Sequence, residues 1–190
     1  MKNAVRIGIF VIIGAVLIVS YYFYLSHGRG KKDAAPAEQT ELEKVLTVDL
    51  DARYPQTPRE VIKWYNRILK QYYNPDVTDT QIEMLCDQAQ LLIDDELLAA
   101  NPRDTYIASV KAEAKEYKTR GKKMVKAEVA DTSDVAYKKL HGDEMAYVLV
   151  NYVTSEGNDY QTTYQKYALR KSNAGRWKIV AFELSDEDGI

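Results

Sequence analysis

Histidine and cysteine are nearly missing from this chain, with two of the first and one of the second in 190 residues. A zinc site needs three or four converging ligands, so His27, His141 and Cys86 make no metal centre between them, and no metal is expected. A single cysteine closes no internal disulfide; Cys86, among Ile82, Leu85 and Ala89 at helical spacing, reads as a small buried hydrophobe. There is no phosphate-cradling glycine loop and no nucleophile elbow, which sets aside two large groups of enzymes. Acidic residues are missing from the N-terminal end, all 28 lying from Asp33 onward. From that point 21 basic residues face 28 acidic ones, a balance of −7, and such a domain is not expected to bind nucleic acid.

Charge of either sign is missing from Ile7 to Gly28, and Ile7 to Leu25 is almost wholly apolar. At about 1.5 Å per residue this run matches the roughly 30 Å hydrocarbon core of a bilayer. It predicts a short cytoplasmic tail over 1–6 and a single transmembrane helix over 7–26, with membrane lipid as its partner. Tyr21, Tyr22 and Tyr24, beside Phe23, stand where an interfacial aromatic belt is expected. Lys2 and Arg6 on one flank balance Arg29, Lys31 and Lys32 on the other, so positive-inside counting does not choose an orientation. The layout resembles bacterial signal-anchor proteins, which implies a single pass through the plasma membrane with the domain extracytoplasmic. Cleavage after Ser26-His27-Gly28 or Ala35-Pro36-Ala37 is the rival reading, for which the apolar run is long.

Residues 27–56 read as a linker, with Glu41–Leu50 fitting a short helix or a strand equally. Thr57-Pro58-Arg59-Glu60 carries a capping threonine, a first-turn proline and a glutamate placed to cap in return, so a helix is expected to start there. Val61, Trp64, Tyr65, Ile68, Leu69 and Tyr72 recur at helical spacing up to Asn74-Pro75. Thr80-Gln81-Ile82-Glu83 predicts a second helix start, with a break near Asp94-Asp95. Asn101-Pro102-Arg103 predicts a third helix, ending at Gly121. Beyond Gly121 the apolar period falls to about two, and strands are expected over 124–130, 135–140, 145–154, 160–171 and 176–184. The fold class is therefore α+β: a cone-like domain over 57–184, about three helices packed on a curved antiparallel sheet, followed by an acidic tail over 185–190.

Helices followed by a meander ending in Asn173-Ala174-Gly175-Arg176-Trp177-Lys178-Ile179-Val180 resemble the nuclear-transport-factor-2-like fold, the SnoaL-like cone. The resemblance covers roughly Thr57 to Leu184. With the anchor included, the layout resembles uncharacterised envelope proteins of Gram-positive bacteria and, more distantly, the bitopic assembly subunit of type IV secretion systems. The resemblance implies a pocket between helices and sheet, in which enzymes of this fold place a histidine or carboxylate.

No such residue is evident here. His141 lies in Leu140-His141-Gly142-Asp143, a turn between strands. Glu83 with Asp87, the run Asp94-Asp95-Glu96, and Asp49 with Asp51 lack calcium-loop spacing and read as solvated surface. No catalytic residue and no cofactor are expected. Tyrosine is the one excess, 15 residues. Tyr147, Tyr152, Tyr160, Tyr164 and Tyr167 can pave the sheet, and Trp64, Tyr65, Tyr147, Tyr164 and Trp177 are the candidate lining of a pocket. These features predict a membrane-anchored, non-catalytic binding or interaction module at the bacterial cell envelope, with an envelope protein or a second copy as partner. The alternatives are a structural subunit of an envelope or type IV secretion-like assembly, and an enzyme with an unrecognised pocket acid.

Overall fold

The computed structural model describes residues 39–186. The expected membrane helix and its aromatic belt, Tyr21, Tyr22 and Tyr24, lie outside the described residues. Among the described residues no helix is long and apolar enough to cross a membrane. The described residues from Thr40 onward form one compact unit.

Among the described residues the fold is α+β, with five α-helices followed by an antiparallel sheet. The first helix, α1 (Glu41–Thr47), resolves the ambiguous segment and corrects the expected linker. Thr40 and Glu43 cap it reciprocally, and Val45 and Leu50 are 1% exposed in the core. The folded unit therefore begins ahead of the expected boundary at 57: two fully buried aliphatic side chains tie this segment down. Helix α2 (Pro58–Tyr72) starts at the expected Thr57–Glu60 box. The next, α3 (Asp79–Gln90), is capped by Thr78 with Gln81, two residues ahead of the expected Thr80. Either threonine has a polar partner three residues on; it is the Thr78 hydroxyl and the Gln81 side chain that form the reciprocal bonds, which adds Asp79 and Thr80 to a helix that buries Ile82, Leu85, Cys86 and Ala89. A short α4 (Asp95–Ala100) follows the break, and α5 (Arg103–Arg120) ends at Gly121, whose φ of 64° suits a residue without Cβ.

The strands are β1 (Lys122–Val129), β2 (Ala136–Leu140), β3 (Asp143–Glu156), β4 (Asp159–Lys171) and β5 (Trp177–Ser185). The hydrogen-bonded order is β1-β3-β4-β5, with β2 also paired to β3. Both short strands fit because β1 runs along the second half of β3 and β2 along the first. His141 (φ 52°) and Gly142 (φ 101°) make the exposed two-residue turn from β2 to β3.

Alternation sorts the sheet into two faces. On β3, Ala146, Val148, Val150 and Tyr152 are buried, and their partners on β4 include Leu169 and Tyr167. These side chains share one core with Ile62, Ile68, Leu85, Leu92 and Ile107, so the helices cover this face of the sheet. Intervening residues such as Tyr147, Leu149 and Tyr164 point to the other face.

Candidate binding cleft

The segment between α3 and α4 is strapped to the sheet. The Asp94 amide donates to the Ile179 carbonyl and the Ile179 amide to the Leu92 carbonyl, each at 2.9 Å. The Asp94 carboxylate caps α4 by accepting from the Glu96 amide at 3.1 Å and takes the Arg170 guanidinium at 2.6 and 3.3 Å. Asp94 is 6% exposed, so a buried charge is met by a cation and by a helix N-terminus. The strap props α4 beside the second half of β5 and leaves a cleft of about 460 Å³ between them, within the range of small-molecule and side-chain pockets.

Ile93, Leu97 and Leu98 form one wall, and Val180, Ala181 and Phe182 of β5 the other. Tyr65 and Tyr106, with Gln90 and Asn101, complete it. No carboxylate, histidine or ammonium group is among these residues. Tyr65 meets the Tyr167 ring edge-on at 5.9 Å, and Tyr167 packs against Phe182 at 5.6 Å. Tyr106 shares a hydrogen bond with Tyr72 across 3.2 Å. Deeper, the Tyr152 hydroxyl donates to Asn66 Oδ1 at 2.5 Å and is 2.8 Å from the Tyr167 hydroxyl, which donates to Gln165 at 2.8 Å.

Burial is the largest influence on each of these phenols and pushes Tyr65, Tyr72, Tyr106, Tyr152 and Tyr167 above the usual tyrosine range. They are uncharged hydroxyls at neutral pH, able to donate and accept hydrogen bonds. A phenol held protonated is neither a general base nor a nucleophile, so the lining suits recognition of an apolar group with a polar edge. Burial likewise raises the Cys86 thiol above its usual range, and the side chain lies in the core away from the cleft. Among the described residues no three of His, Cys, Asp and Glu cluster closely enough to hold a metal.

Of the five candidate lining residues, only Tyr65 enters this cleft. Trp64, its neighbour on α2, points elsewhere, stacked under the Arg67 guanidinium at 3.9 Å in a surface hollow with Tyr54 and Glu60. Trp177 is buried at the start of β5, edge-on to Tyr137 at 5.9 Å, with its carbonyl accepting from Tyr54 at 2.7 Å. Tyr147 and Tyr164 occupy the far face of the sheet, Tyr147 beneath the Lys138 ammonium at 5.4 Å. The strand period decides this outcome: with Val148 and Val150 in the core, Tyr152 can share their face and Tyr147 cannot. Applying that parity to the sequence would have found Tyr152 and Tyr167. Nothing in the sequence pointed to Leu97, Leu98 or Phe182, because their meeting depends on the strap at Ile179.

A smaller hollow of about 220 Å³ lies between the helices and strands β1, β3 and β4, where Tyr73 stacks on Tyr117 at 4.0 Å and donates to Glu113 at 2.9 Å.

No curated protein matches the chain. One family model, described as a domain of unknown function, matches residues 1–182, so the apolar N-terminal run and the folded unit belong to one family pattern. The chain is a member of the DUF6715 family.

Proposed function

We propose that this protein is a membrane-anchored, non-catalytic binding module of the bacterial cell envelope, held in the plasma membrane by residues 7–26 with its folded unit on the extracytoplasmic side. The observation that carries the binding role is the cleft between α4 and β5, lined by aliphatic side chains and uncharged phenols. The anchor is supported by the uncharged run from Ile7 to Gly28. A family match that spans the run and the domain together adds to that support. Helices on one face of an antiparallel sheet support the reading of a nuclear-transport-factor-2-like cone.

Two measurements test this reading. Membranes from cells expressing the full chain are washed at alkaline pH, and intact cells are treated with protease. The protein should stay with the membrane and lose its folded unit to protease without lysis; release by the wash, or protection until lysis, overturns the anchor or its orientation. Cleft occupancy is read by fluorine NMR of 4-fluorophenol with the full chain in dodecyl maltoside. Broadening should exceed that given by a Leu98→Trp variant, whose indole fills the cleft, and equal broadening refutes a ligand-accepting cleft.

A further inference from the structure

Strand β5 ends the sheet, and its outer edge is only partly covered. Ile179 pairs with Ile93 in a parallel bridge, and beyond it no strand among the described residues lies along Val180–Ser185. Phe182 and Leu184 on this stretch are 52% and 74% exposed. Their register partners on β4, Tyr167 and Gln165, put both on the helix-covered side of the sheet, where Val180, Ala181 and Phe182 already form a cleft wall. Glu183 points to the other face, held by Lys166 at 3.0 Å. Val180 is the extra residue of a bulge against β4, and beyond it the edge is open; an open apolar edge next to a pocket is the arrangement by which sheets accept an extended peptide, with backbone bonds supplying affinity and alternate side chains specificity.

We infer that Val180–Ser185 is a strand-addition site for an extended segment of a partner protein in which apolar residues alternate with lysine or arginine. The inference rests on the binding-module reading and names its ligand class. The partner's apolar side chains cover Phe182 and Leu184, and one of them enters the cleft between α4 and β5. Its basic side chains fall on the other face, by Glu183, and near the acidic end of the strand. Charge complementarity selects this occupant: Glu183, met by the single base Lys166, and Asp186 stand at this end of the strand, and Glu187 and Asp188 follow in the sequence with no base among them. A second copy would bring the same acidic end and the same −7 balance, and Leu92–Asp94 already takes the edge at Ile179, which leaves a short stretch for self-pairing.

The test uses the full chain in dodecyl maltoside and a fluorescein-labelled decapeptide alternating lysine and valine around a central phenylalanine, followed by anisotropy. Controls are the same peptide with glutamate for lysine, and two versions N-methylated at alternate residues on one edge or the other. Binding should weaken by about tenfold or more with the glutamate peptide, with one N-methylated version and with Phe182→Glu, while Phe182→Leu stays within about threefold of wild type. Equal binding of both N-methylated peptides, or indifference to Phe182→Glu, overturns strand addition. Light scattering that shows a Phe182-dependent dimer with no peptide binding overturns it in favour of a second copy. Loss of peptide binding with 4-fluorophenol broadening intact sinks this inference alone, whereas loss of both sinks the binding-module reading with it.

Discussion

Alkaline pH should unfold this domain through its tyrosines. Tyr54, Tyr65, Tyr72, Tyr152 and Tyr167 are each at most 6% exposed, and burial raises the pKa of every one. In the unfolded chain a phenol ionises near pH 10. Between that value and the raised folded one, the native state binds more protons than the unfolded state, so stability falls as pH rises. Each such phenol contributes about 1.4 kcal/mol of loss per pH unit above 10, or about 7 kcal/mol for the five at pH 11. A domain stability of roughly 5–15 kcal/mol is consumed at about that pH. Lys178 acts with the opposite sign, since burial lowers its pKa and alkaline pH relieves that penalty, but it is one half-buried group against five phenols. The assay follows tyrosinate absorbance in the near ultraviolet alongside far-ultraviolet circular dichroism on the full chain. The buried tyrosines should ionise cooperatively with loss of helix signal. Gradual ionisation of all tyrosines with the helix signal intact would refute the burial of these hydroxyls.

Four single substitutions probe the folded unit and the supports of the cleft, each read by urea unfolding. Asp94→Ala removes the α4 cap and the main partner of Arg170; with Glu96 at 3.2 Å and Asp143 at 3.7 Å as fallback partners, the loss should be about 2–3 kcal/mol. A change below about 1 kcal/mol would mean that the strap holds without its charge pair. Tyr152→Phe should cost about 1–3 kcal/mol by stranding the buried Asn66 carbonyl oxygen, while Asn66→Leu, which removes an amide whose Nδ2 has no partner, should cost less. The double variant should be more stable than the sum of the two losses, and simple additivity would disprove their coupling. Gly121→Ala should cost about 1 kcal/mol from the left-handed backbone at φ 64° alone, since an added Cβ meets nothing within 4 Å. A larger loss would point to a contact that the open space around Gly121 does not contain.

The order of elements was legible in the sequence because it depends on local chemistry. Thr57–Glu60 caps α2 where the residues predict it, Gly121 ends α5, and the period of two after Gly121 gives all five strands within a few residues. Where two local solutions compete, the local pattern cannot choose between them: Thr78 displaces Thr80 as a cap, and Glu41–Thr47 becomes helix with Val45 buried. The cleft was less legible for the same reason carried further. Tyr65 shares the α2 stripe with Val61 and Ile68, so helical spacing alone turns it inward, but Trp64 beside it turns out. On the strands a one-residue offset separates the buried Tyr152 from Tyr147 on the opposite face, and an undifferentiated excess of tyrosine conceals that parity. The walls at Leu97 and Phe182 are far apart in the chain and meet through the bonds of Leu92 and Asp94 to Ile179. A break in a helical pattern at Asp94-Asp95 therefore held more functional information than the tyrosines did. It is where the chain leaves the helical layer, borrows the edge of β5 for one bridge, and by stopping there leaves the rest of that edge free.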